Sequence, residues 1–339
     1  MKAINIWVTN RCNLCCEYCY EGKYKNSKEI SKRNTVLLIE YIKTIIEKNK
    51  YLAINFHGGE PLLCTEIIVN ICEGLGELRN KTFFSLTTNG TLINNYNIEI
   101  IKKYSINLSI SMDGIETAHN ISRKYPGGEG TFGDCLKGAM YAKERGVEFR
   151  CRMTITPQNY IHLYESVSFL AKLGIKNIVA MPDLYNKGWT DDMIQQIEKD
   201  IKKILRSQLG IEFVFFEKCV QHKGRCLGGI EEINIDPDLN IYPCACVVGN
   251  EEYCLGNIET PNFHMQVYQK LNDMCQNHIE ECDGCLFYNY CMTSRCRLFN
   301  QVLTGNPNMP SEVICAFENM VFRMRDILNH TNGGNKYEN

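Results

Sequence analysis

Four cysteines lie within eight consecutive residues near the start of the chain, in the stretch RCNLCCEYCYEG at residues 11–22. Thiolates at this density are typical ligands of a soft metal. One interpretation of the spacing is a tetrahedral zinc site built from two adjoining C-x2-C pairs, Cys12, Cys15, Cys16 and Cys19. That site would require the neighbours Cys15 and Cys16 to face one ion.

The second interpretation takes Cys12, Cys16 and Cys19 as C-x3-C-x2-C and leaves Cys15 as a bystander thiol. Three thiolates hold three irons of a four-iron cluster, so the fourth iron is free for an exogenous ligand. An open coordination position distinguishes a catalytic metal site from a structural one.

Composition excludes several classes of protein. The chain has 339 residues, with 37 basic and 39 acidic side chains and a formal net charge of −2. No basic block indicates a nucleic-acid partner. No signal peptide is evident, and no apolar run reaches membrane-spanning length. We therefore expect a cytoplasmic protein without a membrane partner, in which 19 cysteines indicate metal sites rather than disulfides.

The first two-thirds of the chain alternates β-like runs with amphipathic helical patterns. Strands are predicted at 3–9, 51–58, 82–89, 106–113, 148–156 and 176–183, and helices at 36–49, 65–78, 98–104, 132–145, 164–174 and 191–208. Six β/α units in succession predict an α/β fold with a parallel sheet, either doubly wound or a partial (β/α)6 barrel. The cysteine stretch and the segments 57–61, 88–90 and 113–114 follow successive strands, where such sheets carry their chemistry.

The pattern of predicted secondary structure changes near residue 210. From about residue 215, long helical patterns give way to turns and dense cysteines. We predict an α/β domain at 1–210, a loop-rich domain held together by metal at 211–330 and a flexible tail at 331–339.

The C-x3-C-x2-C spacing, with aromatic Tyr18 before the third cysteine, resembles the radical S-adenosylmethionine (radical SAM) superfamily. The resemblance favours the partial barrel and implies a [4Fe–4S] cluster whose open iron binds the methionine moiety of S-adenosylmethionine (SAM). An electron then cleaves the sulfonium to a 5′-deoxyadenosyl radical, which abstracts hydrogen from the substrate.

The resemblance also implies contacts with SAM. Gly58, Gly59 and Glu60 match the segment that binds the methionine amino group. Ser109, Ser111 and Asp113, in SISMDG, match a fourth-strand segment that approaches the ribose or the substrate. Arg152 is a candidate partner of the methionine carboxylate. Three weaker candidates are Asn89, His119 and Arg123.

The cysteines of the C-terminal third resemble the SPASM extension of radical SAM enzymes, which holds two auxiliary four-iron clusters. By motif position, one cluster takes Cys219, Cys226, Cys244 and Cys296, and the other takes Cys282, Cys285, Cys291 and Cys315. The expected total is three [4Fe–4S] clusters, with zinc as the alternative for the C-terminal array. Cys246 and Cys254 are either substitute ligands or packed thiols. Leu239 replaces a usual glycine, which predicts a different hairpin turn.

Enzymes with this extension mostly modify peptides or proteins. Sulfatase maturases resemble the chain in length, but their catalytic aspartate corresponds to Ala245. We therefore predict a maturase of a ribosomally made peptide, forming a thioether or carbon–carbon crosslink. The alternatives are a formylglycine-forming sulfatase maturase and a non-catalytic electron carrier. Expected partners are a peptide and an electron donor such as flavodoxin or ferredoxin. Because the chain begins at its first strand, we also expect either a separate leader-recognition protein or leader contacts on the barrel itself.

Overall fold

A computed structural model of the chain describes residues 1–23, 27–216, 226, 228–260, 264–274 and 278–324. These residues form ten strands: β1 (Ala3–Thr9), β2 (Leu52–Gly58), β3 (Thr82–Thr88), β4 (Asn107–Ser111), β5 (Phe149–Ile155), β6 (Asn177–Pro182), β7 (Glu212–Phe215), β8 (Glu232–Ile235), β9 (Asn240–Tyr242) and β10 (Gly256–Asn257). No helix among them combines the length and the apolar character needed to cross a membrane.

The same residues form eleven α-helices: α1 (Lys32–Glu47), α2 (Thr65–Gly74), α3 (Asn95–Lys103), α4 (Glu116–Ser122), α5 (Phe132–Glu144), α6 (Leu163–Lys172), α7 (Asp191–Arg206), α8 (Met265–Met274), α9 (Met292–Arg295), α10 (Arg297–Thr304) and α11 (Glu312–Arg323). Helices follow each of the first six strands, as predicted. The α/β class is confirmed.

The chain forms two compact units that do not follow sequence order. The first comprises the described residues of Met1–Ser111, Lys124–Phe149 and Leu227–Asn272. Its strands lie in the order β10-β9-β8-β1-β2-β3-β4. The pairs β8–β1, β1–β2, β2–β3 and β3–β4 are parallel, whereas β9 pairs antiparallel with β8 and β10.

The second unit comprises the described residues of Met112–Arg123, Arg150–Cys226 and Asp273–Asn339. In it β5, β6 and β7 pair in parallel. Trp189 and Phe215 both pack against Phe317 of α11, with ring centroids 5.0 and 6.3 Å away. The division predicted at residue 210 stays a prediction.

Strand β1 is the central strand of the first unit. Ile4, Ile6 and Val8 are fully buried on one face, as expected for a parallel strand covered by helices. The opposite face carries Asn5, Trp7 and Thr9, which are also buried. The polar residues of this face need partners, because an unpaired buried amide is costly.

A row of hydrogen-bonded side chains crosses four strands at the level of Asn5. Asn5 Nδ2 donates to Asn234 Oδ1 of β8 at 2.8 Å, and Asn55 Nδ2 of β2 donates to Asn5 Oδ1 at 2.7 Å. Ser85 of β3 extends the row by a hydrogen bond to Asn55. These residues face one another in the strand register. The row therefore links β8 to β1 through side chains as well as backbone.

The hairpin between β8 and β9 turns at residues 236–239. Leu239 N donates to Asp236 O at 3.0 Å, and Leu239 has a left-handed φ of +69°. Leu239 is also fully buried. The turn thus keeps the backbone conformation that glycine would adopt most easily, and burial of the leucine offsets its cost.

We expect L239G to destabilise the protein by about 1–3 kcal/mol. Glycine removes roughly 1–2 kcal/mol of left-handed strain but loses a buried leucine, worth about 2–5 kcal/mol. Urea unfolding measures the difference. The matched control is S105G, since Ser105 is also left-handed, at φ +52°, but exposed. A more stable L239G variant would contradict this reasoning.

Candidate active site and cysteine clusters

The loop that carries the first cysteines leaves the end of β1 and is fixed by its backbone. Asn10 N donates to Lys28 O and Cys15 N donates to Lys124 O, both at 2.8 Å. Cys12, Cys16 and Cys19 are half-buried, Cys15 is exposed, and none of the four is in a disulfide. The loop therefore holds its shape while its thiols stay available to a metal.

Asn89, at the end of β3, supports this loop. Its Nδ2 donates to Asn13 Oδ1 at 2.9 Å and lies 4.0 Å from Cys12 Sγ. Leu14 N donates to the same sulfur at 3.3 Å. Donors directed at a thiolate stabilise its negative charge, as in iron–sulfur proteins. The weak sequence candidate Asn89 thus has a defined place beside Cys12.

Gly58 and Gly59 allow β2 to approach the cysteine loop closely. Gly59 N donates to Thr9 O at 2.9 Å, and Glu60 N donates to Arg11 O at 2.8 Å. A Cβ at Gly58 would lie 2.1 Å from Thr9 O, and one at Gly59 would lie 2.2 Å from Arg11 O. Both distances are far inside van der Waals contact. The two glycines therefore serve the contact between the segments.

Glu60 ties the end of β2 to the end of β3. Its side chain is 1% exposed. Oε1 accepts hydrogen bonds from Thr88 Oγ1 at 2.7 Å and Leu62 N at 3.0 Å, and Oε2 accepts one from Asn89 N at 2.8 Å. Burial raises the pKa of this carboxyl to about 7, against the opposing effect of these donors. Its predicted contact with the methionine amino group stays a prediction.

The other predicted SAM contacts of the first unit are Tyr18, Ser109 and Ser111. Tyr18 is half-buried within the cysteine loop. Ser109 and Ser111 alternate along β4, so they share one face, and Ser109 lies beside Thr87 of β3. Their contacts with SAM stay predictions.

Asp113 forms a buried ion pair within the second unit. Arg123 donates to it twice, through Nε at 2.9 Å and Nη2 at 3.1 Å, and Thr154 N donates at 2.8 Å. Asp113 is 2% exposed and Arg123 is 6% exposed. These contacts give Asp113 a structural task beside its predicted approach to the ribose. Arg152, also predicted to bind SAM, has an exposed side chain on β5.

His119 accepts a hydrogen bond at Nδ1 from Asp113 N at 3.3 Å and is fully buried. Burial lowers the pKa of His119 to about 4, although the charge of Asp113 opposes the shift. At a pH between this value and the ordinary value of 6.5, the imidazole is therefore neutral in the folded protein and protonated in the unfolded chain.

The sign of the resulting pH effect follows from linkage. Between the unfolded pKa of 6.5 and the folded value of about 4, only the unfolded state protonates His119. Stability is therefore expected to fall as pH falls through this window, by about 3 kcal/mol. We expect the H119Q variant to lack this component, which equilibrium unfolding at pH 4 to 7 measures. Parallel pH profiles of the two proteins would contradict the assignment.

A narrow cleft lies at the end of β1, within the first unit. It encloses about 30 Å³, and its lining residues are Trp7, Asn10, Tyr20, Glu21, Asp236, Pro237, Asp238, Ala245, Cys246, Val248 and Gly249. The cleft therefore brings the end of the cysteine loop beside the segment that follows β9. The two segments lie side by side because β8 pairs with β1, a pairing that was not predicted from the sequence.

Glu21 is the carboxylate of this cleft with the fewest local partners among the described residues. Its Oε1 lies 3.3 Å from His57 Nδ1, and the His57 ring lies 4.7 Å from that of Trp7. Asp236 instead accepts from the backbone N–H groups of Asp238 and Asn240. Asp238 forms an ion pair with Lys28. Position 245, an alanine, offers no acid or base.

Four predicted auxiliary ligands of the second unit lie near one another. Burial and, to a smaller extent, the neighbouring thiols of Cys291, Cys285 and Cys315 raise the pKa of Cys282 to about 11. A bound metal would have the opposite effect and favour deprotonation, because cysteines ligate metals as thiolates. Among the described residues, no three His, Cys, Asp or Glu side chains are placed so that they could hold one metal ion. The assignment of these four cysteines to one cluster stays a prediction.

The other predicted auxiliary set is described in part. Cys226, Cys244 and Cys296 are half-buried thiols outside any disulfide, which suits thiolate ligation. Cys219 lies outside the described residues. This set stays a prediction.

The sequence comparisons identify the family. The radical SAM superfamily model matches residues 6–170. An uncharacterized protein of Methanocaldococcus jannaschii is 30% identical over 267 residues, covering 77% of this chain and 90% of that protein. A cysteine-type anaerobic sulfatase-maturating enzyme of Clostridium novyi is 24% identical over 348 residues, covering 92% of this chain and 91% of that enzyme.

A solved structure supports the fold. Native anSMEcpe with bound AdoMet and Cp18Cys peptide matches with a TM-score of 0.78 at 20% identity, covering 97% of this chain and 98% of that chain. The chain belongs to the radical SAM superfamily and is an enzyme of that superfamily. The electron-carrier alternative is therefore not retained.

The residues described above fit the cofactors of this superfamily, SAM and a [4Fe–4S] cluster. When bound, these groups supply an electron and a carbon radical able to remove hydrogen from an unactivated position. Cys12, Cys16 and Cys19 would hold the cluster. Asn89 and Leu14 N provide hydrogen-bond donors at Cys12, and Gly59 and Glu60 hold the loop against β2.

Proposed function

We propose that this enzyme matures a ribosomally made peptide by removing hydrogen from it and forming an oxidative thioether or carbon–carbon crosslink. The observation that carries this proposal is Ala245 in the wall of the cleft at the end of β1. By resemblance, a sulfatase maturase has its catalytic aspartate at this position. Oxidation to formylglycine needs a proton acceptor, and a methyl group cannot supply one.

The proposal includes the cofactor and metal assignments. Cys12, Cys16 and Cys19 ligate the SAM-binding cluster, and the eight predicted cysteines of the C-terminal third ligate two auxiliary clusters. Three clusters suit an oxidative reaction, because the electron left on the substrate needs an acceptor. The thiols of Cys285, Cys291 and Cys315 lie near enough to Cys282 to raise its pKa, which supports one of the auxiliary sites.

The proposed partners follow from the reaction. A peptide supplies the substrate, and the Cp18Cys peptide bound to the solved anSMEcpe is consistent with one. A low-potential donor such as flavodoxin or ferredoxin supplies the starting electron. A separate protein recognises the leader of the peptide. These partners, and so many free thiols, fit the reducing cytoplasm.

A second candidate function is formylglycine formation on a sulfatase. Glu21 favours it, because this carboxylate lines the same cleft as Ala245. The similarity to the Clostridium novyi enzyme extends along most of both chains. Under this alternative, Glu21 would take the role of the aspartate missing at position 245.

The first test measures SAM cleavage by anaerobically reconstituted enzyme with dithionite. We expect formation of 5′-deoxyadenosine in the wild type and in C15A, but none in C16A. The contrast is sharp because Cys15 is exposed and neighbours the predicted ligand Cys16. Equal loss in both variants would contradict the ligand assignment, and no cleavage by the wild type would contradict the proposal.

The second test identifies the product. Anaerobic co-expression with a cysteine-containing precursor peptide from a neighbouring gene should yield a peptide lighter by two hydrogens. Tandem mass spectrometry should show suppressed fragmentation between the joined residues. A hydrazide probe that labels the product instead would reveal an aldehyde and favour the formylglycine alternative. An unchanged peptide mass in the presence of SAM cleavage would contradict crosslinking of that peptide.

A further inference from the structure

The thiol of Cys246 is directed at a predicted cluster ligand. Cys246 Sγ donates to Cys244 Sγ across 3.4 Å. Both residues belong to the short turn after β9, where Cys244 precedes the 3-10 segment Ala245–Val247. Cys246 also lines the cleft described above, so it contacts both that cleft and Cys244. The resemblance to the SPASM extension assigns Cys244 as a ligand, whereas Cys246 has only the alternatives of substitute ligand and packed thiol.

The distance between the two sulfurs indicates the kind of contact. Thiolates that ligate one cluster bind different irons and point away from one another, so the sulfurs of two ligands do not touch. A separation of 3.4 Å instead suits a weak thiol donor and a thiolate acceptor. Cys246 therefore fits a protonated neighbour of the ligand better than a second ligand.

We propose that the Cys246 thiol donates a hydrogen bond to the Cys244 thiolate and raises the reduction potential of the auxiliary cluster that Cys244 ligates. This inference rests on the proposed function. Reduction adds negative charge, which spreads onto the ligand sulfurs. A donor at one sulfur stabilises the reduced form more than the oxidised form. Cys246 thus acts through Cys244 as a positioning residue.

Burial of the contact strengthens this effect. Cys244 and Cys246 are both half-buried, and Val247, which follows Cys246, is 1% exposed. The turn is held by its own backbone, with Val247 N donating to Cys244 O at 3.2 Å. A donor held near a partly dry sulfur perturbs its charge more than a solvated donor does.

The test is a redox titration of the reconstituted full-length enzyme, followed by electron paramagnetic resonance, in the wild type, C246A, C246S and C244A. We expect C246A to keep the wild-type iron and sulfide content and to lower one auxiliary potential. A tenfold change in the reduction equilibrium corresponds to about 59 mV for one electron. C246S should stay near the wild type, because a hydroxyl also donates.

The matched control is C254A. Cys254 lies in the same segment of chain, but its thiol donates to Gly256 O at 3.3 Å rather than to a cysteine. This contact fits the packed-thiol alternative for Cys254, so we expect the iron content and potentials of C254A to match those of the wild type.

Three outcomes would overturn the inference. An unchanged potential in C246A with full iron content would show that the hydrogen bond does not set the reduction potential of the cluster. Iron loss in C246A equal to that of C244A would make Cys246 a ligand. Wild-type protein that takes up no iron would overturn the proposed function as well, whereas the first two outcomes leave that function standing.

Discussion

The G59A variant is expected to lose most of its SAM cleavage, by at least about 100-fold, while remaining folded. The new Cβ would lie 2.2 Å from Arg11 O and 2.9 Å from Asn10 O. Relief requires a shift of roughly 1 Å in the loop that carries Cys12, because carbon contacts are comfortable only near 3.5 Å. A displacement of about 1 Å at a catalytic group commonly costs about 100-fold in rate. Iron content and 5′-deoxyadenosine formation measure the effect.

The matched control for this prediction is G133A. Gly133 is exposed in α5, and a Cβ there meets no atom within 4 Å. We expect this variant to match the wild type in iron content and activity, with a small gain in helix stability. Circular dichroism separates misplacement of the loop from unfolding of G59A. Wild-type activity in a folded G59A protein would show that the loop tolerates the shift.

The D113N variant is expected to destabilise the protein by about 3–5 kcal/mol. Asparagine would leave the buried guanidinium of Arg123 without its charge partner and present an amide N–H group to one of its donors. Asp113 also accepts from Thr154 N, so the change reaches the end of β5. Urea unfolding of the enzyme before and after the substitution measures the loss.

The control for D113N is an exposed ion pair. Arg145 Nη2 lies 2.9 Å from Glu99 Oε1, and both side chains are more than one-third exposed. We expect E99Q to cause no measurable loss of stability, because solvent screens such pairs. A D113N protein with unchanged stability and weakened SAM binding would instead favour the predicted contact between Asp113 and the ribose.

Hydrophobic periodicity predicted the first two-thirds of the fold well. The six predicted strands lie within two residues of β1 to β6 at either end. Each strand has buried apolar residues and is followed by a helix, so local pattern and tertiary position agree. Strand β8 was missed, because EINI is only four residues long and its partner β1 lies more than two hundred residues earlier. Short runs carry too little periodicity to identify such a pairing.

The residues of the site were easier to find than their tasks. The cysteine spacing and the segment 57–61 drew attention to two loops that the structure brings into contact, because clustered thiols and paired glycines are unusual in sequence. Sequence gives no indication of which partner a carboxylate will have. Glu60 is bound by Thr88 and Asn89, and Asp113 by Arg123, which lies one short helix further along the chain. Both partnerships depend on three-dimensional proximity.

The side-chain row of Asn234, Asn5 and Asn55 fixes how β8 aligns with β1. A slip of β8 by one residue would place an isoleucine opposite Asn5 in place of Asn234 and break the hydrogen bond between the two buried amides. Only one alignment of β8 therefore satisfies the row. Added or deleted residues between β7 and β8 should be absorbed before Asn234. The position of Cys244 relative to the first cysteine loop is therefore set by the alignment of β8 with β1 rather than by the length of the chain that precedes β8.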